Sequence, residues 1–361
     1  KLGMDTRSVI ARFEAERQAL AMMDHPYIAR VLDAGSTTFG RPYFVLELVN
    51  GTPITEFCNS HHFDLRQRIG LVISVCHAIQ HAHQKGIIHR DIKPSNILVS
   101  MQDGIPVPKV IDFGIAKAIE GHIGDATSET VQGQMLGTPA YMSPEQACIN
   151  SSDIDTRSDI YSLGALLYEI TTGRPPFDMT DFKEVPRADL PRLLSEKEPV
   201  RPSVFLKHAD PAELAKLGGM FSSDPSRLAA MIRGDLDWII VKAMEKDRSR
   251  RYETANGLAL DLQRFLDNQP VVARPPGRMY VLRKLVGRNR AVFVSSALIL
   301  LALVGGLGAS TILFYKARRA EMRQTELRKL TEKALENEAH LRRAAETRSR
   351  LTEAVAHARQ D

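Results

Sequence analysis

The sequence predicts an α+β body followed by one membrane-spanning helix and a helical tail. Three observations carry this. Short β-rich runs at 28–32, 43–49, 97–99 and 109–111 sit among longer stretches with helical periodicity. After Pro270 the composition changes to a Pro/Arg-rich stretch. Residues 291–315 then run for 25 positions without a charge.

The elements follow in chain order. Asp5 or Thr6 can cap a helix reaching to about residue 23, with Phe13, Glu16 and Leu20 on one face. Two strands follow at 28–32 and 43–49, joined by a Gly-containing turn. Gly51 ends that pattern, and Thr52-Pro53 opens a short helix. Asp64 with Gln67 makes a capping box for a long helix. That helix keeps Ile69, Val72, Cys76 and Ile79 at helical spacing and stops at Gly86. The strands at 97–99 and 109–111 form a hairpin around Asp103-Gly104. A polar, Gly-rich loop runs from Gly114 to Gly137. Helices are expected at 159–171, 235–244 and 254–266, with Gly173 ending the first. The Pro-dotted segment 178–234 shows no clear periodicity.

As a helix, 291–315 is about 37 Å long, enough to cross a hydrocarbon core of ~30 Å. Gly305, Gly306 and Gly308 permit close approach of a second copy, hence a homodimer through span and tail. Residues 316–361 hold a 3–4 apolar spacing that suits either a coiled coil or a lone solvated helix.

Composition excludes some classes. The 361-residue chain has 43% hydrophobic and 25% charged residues, ordinary values for a globular domain with appendages. Of its net charge of +5, residues 316–361 hold 12 Lys/Arg against 8 Asp/Glu, leaving 36 against 35 for the rest. The body is nearly neutral, so no nucleic-acid-binding face is expected. Three cysteines without a CxxC pairing argue against a disulfide framework or a zinc site and fit a reducing compartment. His77 and His81 stand at i, i+4 on one helix but lack an acidic or cysteine partner at suitable spacing, so no metal site is assigned there.

The chemistry concentrates in His89-Arg90-Asp91-Ile92-Lys93-Pro94-Ser95-Asn96, followed 21 residues after Asp91 by Asp112-Phe113-Gly114. Phosphoryl transfer needs positioned charge: a carboxylate for the hydroxyl proton, oxygen ligands for Mg²⁺, and a cation on the moving phosphate. Asp91 suits the first role, Asn96 and Asp112 the second, Lys93 the third.

These strings resemble the protein kinase superfamily, most closely the membrane-anchored, eukaryotic-like serine/threonine kinases of bacteria, over about residues 1–268. The resemblance implies a two-lobed fold with an incomplete first lobe and a mostly helical second lobe. It implies ATP and Mg²⁺ as cofactors and proteins bearing Ser/Thr as substrates. His89, Arg90 and Asp91 match the catalytic loop, with Lys93 typical of Ser/Thr kinases. Asp112, Phe113 and Gly114 match the metal-binding turn. The segment 137–145, with Ser143 before Pro144-Glu145, is similar to the end of an activation segment. There Thr138 would contact the catalytic loop and Glu145 would pair with Arg251. Asp159 resembles the buried aspartate that pins the catalytic loop. Glu16 resembles the helix carboxylate that steadies an ATP-contacting lysine. Leu46 would guard the back of the adenine pocket, and the backbone of Glu47 and Val49 would bind the base. Arg90 implies control by phosphorylation at Thr127, Ser128 or Thr130.

The family's Gly-rich loop and its lysine find no match, so the chain reads as a piece whose start is missing, inactive or weakly active alone. The alternative is a nucleotide- or partner-binding pseudokinase scaffold. The expected division is a kinase domain at 1–268, a juxtamembrane linker at 269–290, a span at 291–315 and a tail at 316–361. ATP places the domain in the cytoplasm and the tail across the membrane.

Overall fold

The computed structural model describes residues 23–357, apart from 39–41, 114–138, 149–153, 179, 184, 186–188, 222–223 and 276. The expected helix up to residue 23 lies outside this description. The chain divides into two compact units, 1–285 and 286–361.

The first unit opens with two antiparallel strands, β1 (Val31–Ser36) and β2 (Pro42–Leu46). The sequence expectation placed the first strand at 28–32. Ile28 and Ala29 instead bond towards Val110, through Ala29 N–H to Val110 O (3.0 Å) and Val110 N–H to Tyr27 O (2.8 Å). Their backbone groups are taken by another sheet, so the ladder with β2 starts later. That second strand also ends before Val49, because Glu47 donates its N–H to Arg30 O (2.8 Å) and the chain then leaves the ladder.

A second sheet has the order β3-β4-β5, built from β3 (Thr52–Pro53), β4 (Ile97–Gln102) and β5 (Ile105–Val110). The last two form the expected hairpin. Asp103 (φ 50°) and Gly104 (φ 78°) make its two-residue turn. Two successive positive φ values match the twist of the strands, which is why Asp-Gly suits the position.

Pro53, not Thr52, is the residue before helix α1 (Ile54–Ser60), since Thr52 and Pro53 pair with β4. Helix α2 (Leu65–Gln84) begins at the predicted capping box, with Gln67 N–H on Asp64 Oδ1 (2.8 Å) and Asp64 N–H on Gln67 Oε1 (2.9 Å). It stops in a Schellman motif: Gly86 (φ 76°) donates to His83 O and Ile87 donates to Ala82 O. Ile69, Val72, Cys76 and Ile79 are fully buried.

A short helix α3 (Pro144–Ala147) leads to the central helix α4 (Thr156–Thr172), buried over most of its length and ended by Gly173 at φ 75°. The segment 178–234 is helical: α5 (Thr180–Lys183), α6 (Leu190–Glu196), α7 (Pro202–His208), α8 (Pro211–Phe221) and α9 (Pro225–Ile232). Four of these carry Pro at the first or second position. The prolines that obscured periodicity therefore mark helix starts, where a missing N–H costs nothing. Helices α10 (Asp235–Ala243) and α11 (Ala255–Leu266) complete the body as expected.

Arg68 is 1% exposed, and its guanidinium donates to Phe63 O, Asn59 Oδ1, Cys58 O, Ile170 O and Met220 O. It ties α1, α2, α4 and α8 together without a carboxylate. Burial pushes its pKa down to about 10, so it keeps its proton at neutral pH.

Residues 269–290 contain a helix, α12 (Arg278–Arg288), where a linker was expected. The second unit is dominated by α13 (Arg290–His357), whose apolar window is long enough to cross a membrane and is exposed among the described residues.

Candidate active site

The loop 87–96 follows the stop of α2 and is held by Asp159, in the first turn of α4. Asp159 is 0% exposed. Its Oδ2 accepts His89 N–H (2.8 Å) and bonds His83 Nε2 (2.7 Å), and its Oδ1 accepts Arg90 N–H (2.8 Å). Arg90 sits at φ 63°, a left-handed conformation that a bulky side chain rarely adopts. Two charge-assisted bonds to the flanking N–H groups hold it there.

His89 is buried, and its two ring nitrogens are used differently. Nδ1 accepts Asp91 N–H (3.3 Å), while Nε2 faces Ile111 O (3.1 Å). Only a neutral ring protonated on Nε2 satisfies both. Burial pushes its pKa down, outweighing the nearby carboxylates, which agrees with that tautomer.

The side chains that the sequence singled out meet around Asp91. Lys93 Nζ lies 2.7 Å from Asp91 Oδ2. Asn96 Nδ2 donates to Asp91 O (2.8 Å) and to Asp91 Oδ2 (3.0 Å). The neighbouring strand is registered by Ile111 N–H on Asn96 O (2.9 Å), so the His89 and Asn96 bonds to residue 111 place Asp112 beside the loop. Asp112 is exposed, at φ 54°. Phe113 is buried with its ring 4.6 Å from that of His89.

Glu145 and Arg251 form a bidentate pair at 2.6 and 2.8 Å. The Arg251 side chain is 0% exposed and also donates to Arg157 O, Glu245 O and Lys246 O. Burial alone would raise the Glu145 carboxyl, but the guanidinium outweighs it and holds the pKa below the usual range. Leu46 ends β2 half-buried, and Val49 is half-buried beyond it. Because Glu47 N–H is bonded to Arg30 O, any contact of its backbone with a base falls to its carbonyl. Its carboxylate is held by Lys109 Nζ at 2.5 Å. Glu16, Gly114, Thr127, Ser128, Thr130 and Thr138 lie outside the described residues.

A family model described as "Protein kinase domain" matches residues 4–257. The chain belongs to the protein kinase family. Serine/threonine-protein kinase PknB of Mycobacterium leprae is 38% identical over 269 residues, 73% of this chain and 37% of its own length. Probable serine/threonine-protein kinase SCO3848 of Streptomyces coelicolor is 36% identical over 267 residues, 73% of this chain and 34% of its own. The chain thus spans little more than a third of the length of these curated relatives. The crystal structure of the Mycobacterium tuberculosis PknI kinase domain aligns at 21% identity with a TM-score of 0.49, covering 72% of this chain and 79% of that one.

Three residues of this kinase domain that tie its motifs together escaped the sequence reading. His83 shares Asp159 with the loop. Gln146 Nε2 donates to Arg90 O (2.9 Å), joining α3 to the loop, and Ser158 Oγ donates to Glu145 Oε1 (2.8 Å). The adjacency of Gln146 to Glu145 and of Ser158 to Asp159 was the available signal, but each bond depends on packing between segments far apart in sequence.

Proposed function

We propose that this chain transfers the γ-phosphoryl group of ATP to serine and threonine hydroxyls of proteins. The observation that carries the reading is the convergence of Lys93 and Asn96 on the Asp91 carboxylate, at 2.7 and 3.0 Å. Asp91 accepts the proton of the attacking hydroxyl as its oxygen bonds to the γ-phosphorus and ADP departs. Lys93 lies beside that carboxylate and is placed to neutralise charge on the moving phosphoryl.

With the Asn96 amide nitrogen committed to Asp91, its Oδ1, which also accepts a long bond from Ser95 Oγ (3.5 Å), keeps a lone pair for a cation, and the exposed Asp112 carboxylate supplies a second hard oxygen ligand. These two residues fit Mg²⁺, which would supply positive charge at the phosphate oxygens. Leu46, Glu47 and Val49 are proposed to line the adenine site, and Glu16 to steady a lysine on the phosphates. Phosphorylation at Thr127, Ser128 or Thr130, with Thr138 contacting the loop, is the proposed mode of control through Arg90.

The proposed organisation is a kinase domain at 1–268, a juxtamembrane segment at 269–290, a single span at 291–315 and a tail at 316–361. The domain would face the cytoplasm and the tail the opposite side. The test is Asp91→Asn, which keeps volume and removes the base. In a radiolabelled transfer assay on the complete protein, kcat should fall by at least ~100-fold while the thermal midpoint holds. An unchanged kcat would remove Asp91 from the mechanism.

A further inference from the structure

Residues 269–290 are a strap, fixed on one face and charged on the other. The fixed face rests on two buried acids. Asp261, 0% exposed, accepts the N–H groups of Val272 and Ala273, both at 2.8 Å. Asp235 pairs with Arg274 (3.2 Å) and Lys284 (2.7 Å). Tyr280 Oη accepts Val271 N–H (3.1 Å), and the Arg274 guanidinium lies 4.3 Å from the Tyr280 ring centre.

The other face is exposed. Between residues 269 and 320 there is no Asp or Glu. Of the six basic residues before the apolar run, Arg274 and Lys284 are half-buried on Asp235, while Arg278, Arg283, Arg288 and Arg290 are exposed. Those four have no ion pair among the described residues. Met279, Leu282 and Val286 stand at i, i+3, i+7 on α12 and are bare, Met279 at 78% exposure. A helix with bare apolar residues and unopposed arginines, running directly into a 25-residue uncharged stretch, has the composition of an interfacial helix.

We propose that α12 lies on the bilayer surface and binds anionic phospholipid headgroups, so that the strap holds the kinase domain against the membrane. The occupant is a lipid surface because the charge is of one sign and is continuous with the apolar segment. The inference rests on the reading that 291–315 crosses the membrane. Each arginine removed should weaken partition onto an anionic surface by about fivefold.

The test uses the full chain with Met279→Cys in a Cys148→Ser background, the other two cysteines being buried. Position 279 is labelled with a polarity-sensitive fluorophore. The protein is reconstituted in phosphatidylcholine vesicles, with or without about a third phosphatidylglycerol. It should float with both. In the anionic vesicles the emission should shift to the blue, and quenching by a headgroup nitroxide should rise at least ~2-fold. Replacing Arg278, Arg283, Arg288 and Arg290 with Gln should erase that difference. Equal emission in both vesicles with flotation intact overturns the strap alone. Failure to float with either overturns the span and this inference with it.

Discussion

Asp159 shows how one residue can set a site it does not enter. Its carboxylate accepts His89 N–H and Arg90 N–H and bonds His83, so Asp159→Ala leaves one buried and one half-buried N–H group and a ring nitrogen without this partner. Breaking such a buried charged network costs about 3–5 kcal/mol. Thermal denaturation of the variant should show a loss of that size, together with loss of transfer activity. His89 adds a pH dependence. Its folded pKa lies below the ordinary 6.5, so below pH 6.5 the unfolded chain binds a proton that the folded chain refuses. The stability it contributes is complete above pH 6.5 and declines as pH falls towards the lowered value. The unfolding midpoint of the wild type should therefore fall more steeply as pH drops below 6.5 than that of His89→Asn. A parallel pair of curves would show that the ring is not held neutral. The loop residues were legible in the sequence because His89 to Asn96 and Asp112 to Gly114 are contiguous strings. His83 was not, because its bond to Asp159 spans 76 positions and needs α2 packed on α4.

At the scale of elements, the Glu145–Arg251 pair clamps α3 to the segment after α10. Arg251 is also bonded to three carbonyls, so removing the carboxylate leaves a buried guanidinium without its counter-ion. Glu145→Ala should cost about 3–5 kcal/mol, and a Glu145→Leu, Arg251→Met double variant should cost much less. Urea titration of these two variants, and of Glu145→Leu and Arg251→Met singly, checks this, and additive losses would mean the two side chains do not act as a pair. Elements with caps and stops of their own were readable before the fold was known. The box at Asp64 and Gln67, the stop at Gly86 and the turn at Asp103-Gly104 are each written within a few residues. The helices of 178–234 were not readable: most are too short for periodicity to register, and their prolines look like breaks until they are seen at the first turn. The start of the strand expected at 28–32 was misplaced for another reason. Val31 and Leu32 do open β1, but Ile28 and Ala29 are turned to Val110, which no local pattern announces.

Across the whole molecule, charge has to be counted after folding. In the sequence, Arg274, Arg278, Arg283, Lys284, Arg288 and Arg290 precede the proposed span and Lys316, Arg318, Arg319 and Arg323 crowd its other side, so flanking charge fixes no orientation. In the structure Arg274 and Lys284 are neutralised on Asp235, leaving four against four. Flanking charge then gives no clear preference, and the proposed orientation rests on the proposed use of ATP. The expected topology is testable with the chain's own thiol, since Cys148 is exposed while Cys58 and Cys76 are buried. A membrane-impermeant maleimide added to intact cells should leave Cys148 unlabelled until the membrane is permeabilised. Thr331→Cys, placed in the tail in a Cys148→Ser background, should label at once. Because the flanking charges balance, replacing Lys316, Arg318, Arg319 and Arg323 with Gln should not invert this pattern. If Cys148 reacts in intact cells, or if Thr331→Cys is shielded, the domain and the tail do not lie on opposite sides.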